Sequence, residues 1–226
     1  MKPMRKVEVV TDILNANDQI AQENAETLRA HGIVAVNLMA APGAGKTSLI
    51  VQTARALDGR LRLGVIEGDV ASRIDADRVA SEGLPVVQIN TGGACHLDAP
   101  MIRQALRALP LDEIDLLIVE NVGNLICPVE FRLGEALRVM IASVPEGHDK
   151  PYKYPGIFTA VEAVVINKMD LAPYVDFNLG ALREAIRGLN RDAAIFEVSC
   201  RTGEGIGEWA EWLWGQWQAR RAPSAA

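Results

Sequence analysis

The chain has 226 residues and a formal net charge of −6, with an isoelectric point near 5.2, which suits one compact domain with a sizeable core. That acidic balance excludes the broad positive surface that nucleic acid or an anionic membrane needs, so neither is expected as a partner. No apolar run approaches the roughly 20 residues required to cross a bilayer, and Met1 to Lys6 leads into an acidic, polar stretch rather than a signal core. A cytoplasmic location is therefore expected, with Cys95, Cys127 and Cys200 as reduced thiols.

Strand-like and helix-like segments alternate without a linker, which predicts a doubly wound α/β fold with a mostly parallel sheet. Residues 1–32 read as an N-terminal helical segment, 33–219 as the main domain and 220–226 as a small, polar tail expected to be disordered. The first helix is predicted over 15–29, with Ile20, Ala21, Ala25 and Leu28 at helical spacing and Gly32 past its end. It is expected to pack on the edge of the sheet.

A strand at 33–39 runs into Ala40-Ala41-Pro42-Gly43-Ala44-Gly45-Lys46-Thr47-Ser48, and a helix at 46–57 follows. This is a phosphate-binding loop in which Ala40 replaces the usual first glycine. Backbone N–H groups from Gly43 to Ser48 can surround phosphate oxygens, Lys46 can reach the terminal phosphates, and the Thr47 hydroxyl suits magnesium. Alone, the loop does not separate ATP from GTP.

The next strand, 62–67, delivers Glu67-Gly68-Asp69 ahead of a helix at 72–82 that carries Asp75. A strand at 85–89 precedes Gly93-Ala94-Cys95-His96 and a helix at 99–108. The strand at 114–119 delivers Glu120-Asn121-Val122-Gly123 and then Leu125-Ile126-Cys127-Pro128. Asp69 and Glu120 are the candidate catalytic and magnesium-holding acids, with Asp75 a lesser magnesium candidate, because phosphoryl transfer asks a protein chiefly to position groups and neutralise charge. No arginine is identifiable as a charge-neutralising finger, so slow hydrolysis is expected. Cys95, His96 and Cys127 offer thiolate and imidazole donors suited to zinc, nickel or copper. Three ligands from one chain would leave a position to be filled across a pair of chains; the alternative is two buried packing cysteines and a structural histidine.

Strands at 137–143 and 161–166 follow, the second ending in Asn167-Lys168-Met169-Asp170. An aspartate here can accept from the ring N–H and exocyclic amine of guanine, a donor pair that adenine lacks. Asn167 would face the purine's other polar edge and the Lys168 stem would cover the ring. A helix at 176–188 and a strand at 194–198 lead to Ser199-Cys200-Arg201, the loop expected to close the base pocket, where Cys200 packs rather than binds metal. The last helix, 204–219, carries Trp209, Trp212, Trp214 and Trp217 as surface for packing on the sheet.

These motifs together, with Asn90-Thr91-Gly92-Gly93-Ala94-Cys95-His96-Leu97 and Lys153-Tyr154-Pro155, resemble the hydrogenase nickel-incorporation GTPases of the HypB family, relatives of the urease nickel-chaperone GTPases. The resemblance runs from about Ile33 to Trp217 and implies a P-loop NTPase fold of the SIMIBI class. It implies a nucleotide-dependent homodimer using GTP/GDP and Mg2+, with Ni2+ or Zn2+ at Cys95, His96 and Cys127. It also implies hydrolysis coupled to nickel delivery, with a hydrogenase maturation partner, into the large subunit of a nickel-iron hydrogenase. Lys153 is implied as a contact to nucleotide or partner chain. Some family members carry a histidine-rich or cysteine-rich N-terminal metal site; here the histidines are His31, His96 and His148 and no cysteine precedes Cys95, so nickel storage is not expected. Two alternatives stand beside this reading: a GTP-dependent metal-binding scaffold, and a GTPase serving urease or a cobalamin enzyme.

Overall fold

The computed structural model describes residues 9–69 and 74–221. Its element order is α1 (Val9–Ala30), β1 (Val34–Ala40), α2 (Lys46–Ala56), β2 (Leu63–Asp69), α3 (Ile74–Ala80), β3 (Val86–Asn90), α4 (Ala99–Leu106), β4 (Leu116–Glu120), α5 (Cys127–Glu130) and β5 (Leu137–Ser143). Then come α6 (Lys150–Lys153), α7 (Pro155–Thr159), β6 (Ala163–Asn167), α8 (Leu179–Leu189), β7 (Ala194–Glu197) and α9 (Ile206–Arg221). Among the described residues the strands form one sheet, ordered β3-β2-β4-β1-β5-β6-β7, and every neighbouring pair is parallel.

The sheet is parallel because its central strands are apolar on both faces: all seven residues of β1 and all seven of β5 are buried. Val34, Val36 and Leu38 face Leu49, Ile50, Trp209 and Leu213 of α2 and α9. On the other side Ile33, Ala35, Leu117 and Val119 meet Leu28, Ile102 and Leu106 of α1 and α4. Met140, Ala142, Val164 and Ile166 lie beneath Phe158, Leu182 and Ile186 of α7 and α8. Trp209 anchors α9: it is 1% exposed and its indole donates to Thr53 Oγ1 at 2.8 Å, a bond worth about 1 kcal/mol net. The four tryptophans pack as expected, in stacked pairs 209/212 and 214/217.

Three expectations need correction. Helix α1 starts at Val9 rather than residue 15; no glycine or proline interrupts this stretch, and Asp12 in its first turn complements the positive helix end. It packs over α4 and the central strand β1 rather than on the sheet edge. Arg220 and Arg221 belong to α9; the rest of the proposed tail, the opening residues 1–8 and the expected start of the third helix at 72–73 lie outside the described residues.

Candidate functional site

Since all strands are parallel, their carboxyl ends share one rim, and every chemistry-bearing loop falls there. The phosphate loop leaves β1 with Ala40 fully buried. Gly43 and Gly45 take φ of 76° and 100°, a left-handed backbone that lets the loop curl. Gly45 also lies against Asn167, where an added Cβ would stand 2.4 Å from its Nδ2. A Cβ added at Gly123 would likewise stand 2.9 Å from Pro42 Cγ. The loop following β4 is thus pressed onto the phosphate loop.

On one side of that loop a cavity of about 290 Å³ is lined by Lys46, Glu67, Asp69, Asp75 and Glu120, among others. Register makes this cluster: Glu67 on β2 pairs directly with Glu120 on β4. The Thr47 hydroxyl donates to Glu120 Oε1 and Oε2 at 3.1 and 3.2 Å, and Lys46 Nζ stands 3.9 Å from Oε1. Burial pushes Glu120 up to about 7 against the opposing pull of Lys46 and Thr47. Glu67 goes further, to about 8, through burial first and the charge of Glu120 second. Its Oε2 is buried without a partner. Glu67 is the residue that sequence reasoning passed over in favour of Asp69; the signal was its alternation with Asp69, which puts both on one face of β2.

On the other side a cavity of about 480 Å³ is lined by Gly45, Ser48, Arg78, Asn167, Lys168, Asp170, Leu171, Cys200 and Arg201. Ser199 Oγ donates to Asp170 Oδ1 at 2.7 Å, and Arg201 Nη1 lies 3.8 Å from Oδ2. Lys168 sits at φ 64°, the one non-glycine with positive φ among the described residues, and its Nζ donates to Gly43 O at 2.7 Å. Asn167 has a bracing task besides the one expected of it. It is 1% exposed, donates from Nδ2 to Ala44 O at 3.0 Å, and accepts at Oδ1 from the N–H groups of Lys168 and Cys200. Its amide therefore braces the phosphate loop against the loop after β7, and since Nδ2 carries a second N–H and the residue lines this cavity, the bracing is compatible with a contact to a base. Cys200 is half-buried with its thiol pushed up to about 11 by burial, which suits packing. Arg78, absent from the sequence-based candidates, donates to Ser48 Oγ at 3.2 Å; it shares a face of α3 with Asp75, three residues earlier.

Cys95, His96 and Cys127 converge, with one ligand atom from each lying within 4.8 Å of the others. Cys95 is exposed and Cys127 half-buried, so packing in the core does not account for them. Burial holds His96 below its usual pKa, leaving a neutral ring that can ligate, and this ring lies against Phe131, centroids 4.0 Å apart and planes tilted by 30°. Hydrogen bonding with Cys127 raises the Cys95 thiol. The cluster is tied to the acidic cavity through Asn121, whose Oδ1 accepts from Leu97 N at 3.1 Å and Val122 N at 2.9 Å. Leu97 in turn covers Gly68, where a Cβ would meet its side chain at 2.7 Å. Lys153 stands apart from both cavities, paired with Asp149 at 2.5 Å and beside Leu125, Ile126 and Glu130.

The family model describing the CobW/HypB/UreG nucleotide-binding domain matches residues 34–197. Hydrogenase maturation factor HypB of Azotobacter vinelandii is 47% identical over 209 residues, spanning 92% of this chain and 69% of that protein. The solved HypB of Archaeoglobus fulgidus superposes with a TM-score of 0.84 at 42% identity, covering 90% of this chain and 99% of that one. HypB of Helicobacter pylori, solved in complex with nickel, gives 0.87 at 35% identity over 93% and 99%. With its phosphate loop, its base-pocket aspartate and its Cys-His-Cys cluster on one rim, the chain belongs to the CobW/HypB/UreG family of P-loop GTPases, in the HypB branch.

Proposed function

We propose that this chain is a GTP-hydrolysing metallochaperone that carries nickel for the maturation of nickel-iron hydrogenase, working as a nucleotide-dependent homodimer in the cytoplasm. The observation that carries the reading is the Asn121 bridge: the residue after Glu120 holds the backbone of the residue after His96. A change at the nucleotide's terminal phosphate thereby reaches the metal ligands through one side chain.

In this reading Asp170, oriented by Ser199, accepts from guanine, while Lys168 and Arg201 border the base and ribose. Lys46 and the N–H groups of Gly43, Ala44, Gly45, Lys46, Thr47 and Ser48 neutralise and orient the phosphates. The oxygen-rich donor set of Thr47, Asp69, Asp75, Glu67 and Glu120, with one buried carboxyl oxygen unpartnered, fits a hard cation. Magnesium held there supplies charge neutralisation at the terminal phosphates. Glu120, beside Lys46 and Thr47, is placed to orient an attacking water. The nickel cargo is held by Cys95, His96 and Cys127, and thiolates from two chains together complete its coordination; zinc suits the same donors. Delivery goes to a hydrogenase large subunit with a maturation partner.

The test is nickel and zinc affinity and dimer mass with GTP and with GDP, for the native chain and for Cys127→Ala. The reading expects GTP to strengthen dimerisation and change metal affinity, and Cys127→Ala to break that link. Metal binding indifferent to both nucleotide and substitution overturns it.

A further inference from the structure

Helix α1 contributes nothing to either cavity, yet its buried stripe is Asn17, Ala21, Asn24 and Leu28, half of it amide. Asn24 Nδ2 donates to Ala99 O and to Leu133 O, both at 2.9 Å. Asn17 Nδ2 donates to Arg132 O at 2.8 Å, and its Oδ1 accepts from Ala99 N at 2.9 Å. Ala99 opens α4 immediately beyond the Cys95-His96 loop. Arg132 and Leu133 belong to the segment that begins with Cys127 in α5. Each asparagine therefore grips both segments that carry thiolate or imidazole.

The grip is tight. Gly134 takes φ 101°, and a Cβ there would stand 2.7 Å from Ala21 O and from Asn24 Cβ, so the chain after α5 lies directly on the helix. From below, Arg138, 2% exposed, donates to Val129 O at 2.8 Å and Phe131 O at 3.1 Å, and Phe131 carries the His96 ring. Losing an asparagine would leave buried backbone groups without partners, which is costly enough for the segments to shift and find others.

We propose that Asn17 and Asn24 are positioning residues for the metal site: α1 clasps the His96 and Cys127 segments at a fixed separation and so preorganises the three ligands. The proposal rests on the reading of Cys95, His96 and Cys127 as metal ligands. Partners bonded directly to metal ligands change affinity by about 10- to 100-fold when removed, and a clasp acting on the ligands' segments is expected at the lower end of that range. GDP binding, held by the phosphate loop and the loops after β6 and β7, should not respond.

The experiment titrates the full chain with Co2+, read through thiolate-to-metal charge-transfer absorption, and with Ni2+ against a competing chelator. The proteins are the native chain, Asn24→Leu, Asn17→Ala and Cys127→Ala, with GDP affinity and thermal unfolding measured on the same samples. Each asparagine variant is expected to bind both metals at least about tenfold more weakly, with an altered cobalt spectrum and native GDP affinity. Asn17→Ala, the smaller lesion, decides the matter if Asn24→Leu does not fold. Cobalt binding that needs Cys127 but keeps its native affinity and spectrum in the asparagine variants refutes the clasp alone. Cobalt binding indifferent to Cys127→Ala refutes the metal reading, and the clasp with it.

Discussion

Replacing Glu67 with glutamine removes a carboxyl that the fold keeps protonated near neutral pH. Glu67 is 1% exposed, and burial with the nearby charge of Glu120 raises it from 4.5 to about 8. Between those two values the folded chain holds a proton that the unfolded chain has released. Stability rises with pH only where the unfolded state binds more protons, so this group makes stability fall as pH rises through that window. At about 1.4 kcal/mol per pH unit the penalty reaches about 3 kcal/mol near pH 7. Glutamine keeps the shape without the titration. In urea unfolding of the nucleotide-free, metal-free chain, Glu67→Gln should therefore gain on the native protein by about 2–3 kcal/mol between about pH 5 and about pH 7. Glu120, raised to about 7, pulls in the same direction in both proteins. A difference that is flat with pH, or that grows as pH falls, refutes the reasoning.

Gly45→Ala should lower stability by about 1–3 kcal/mol and weaken GDP binding, because φ 100° and the Asn167 amide both oppose a side chain there; native unfolding and native affinity together would contradict this. Asp170→Asn should cost GTP at least about tenfold in affinity and improve binding of xanthosine triphosphate, because the amide presents a donor where guanine needs an acceptor. An unchanged preference between the two nucleotides, measured by competition, would remove Asp170 from the base-reading role.

The seven strands were legible because buried parallel strands are continuous apolar runs. Leu137–Ser143 matches the expected 137–143, and the others shift by at most two residues at either end. Short helices such as Cys127–Glu130 and Lys150–Lys153 were not legible, since four residues containing a proline leave no period to read. The inner face of α1 misled for a different reason. Apolar spacing pointed to Ile20 and Ala25, whereas Asn17 and Asn24 are the deeper residues. A buried amide reads as surface until its partners are known, and these partners lie 75 to 115 residues away. Glu67 was obscured similarly, because an acid at a strand end looks solvated until register sets it opposite Glu120. The Cys95, His96 and Cys127 grouping was visible as donor chemistry on successive rim loops, and the fold brings the three together; Arg78 gave no such sign.

The hydrogen bonds from Asn167 to Ala44 O and from Lys168 to Gly43 O join the base-side loops to the phosphate loop. That half of the rim is braced as one unit. On the proposed reading GTP and GDP meet the same contacts there, so this half supplies affinity and base choice without telling the two apart. Discrimination would then fall to the opposite half, where Glu67, Asp69 and Glu120 line one cavity and Leu97 rests on Gly68. On the proposed reading the molecule separates holding a nucleotide from noticing its hydrolysis, and the half that notices is the half that carries Cys95, His96 and Cys127.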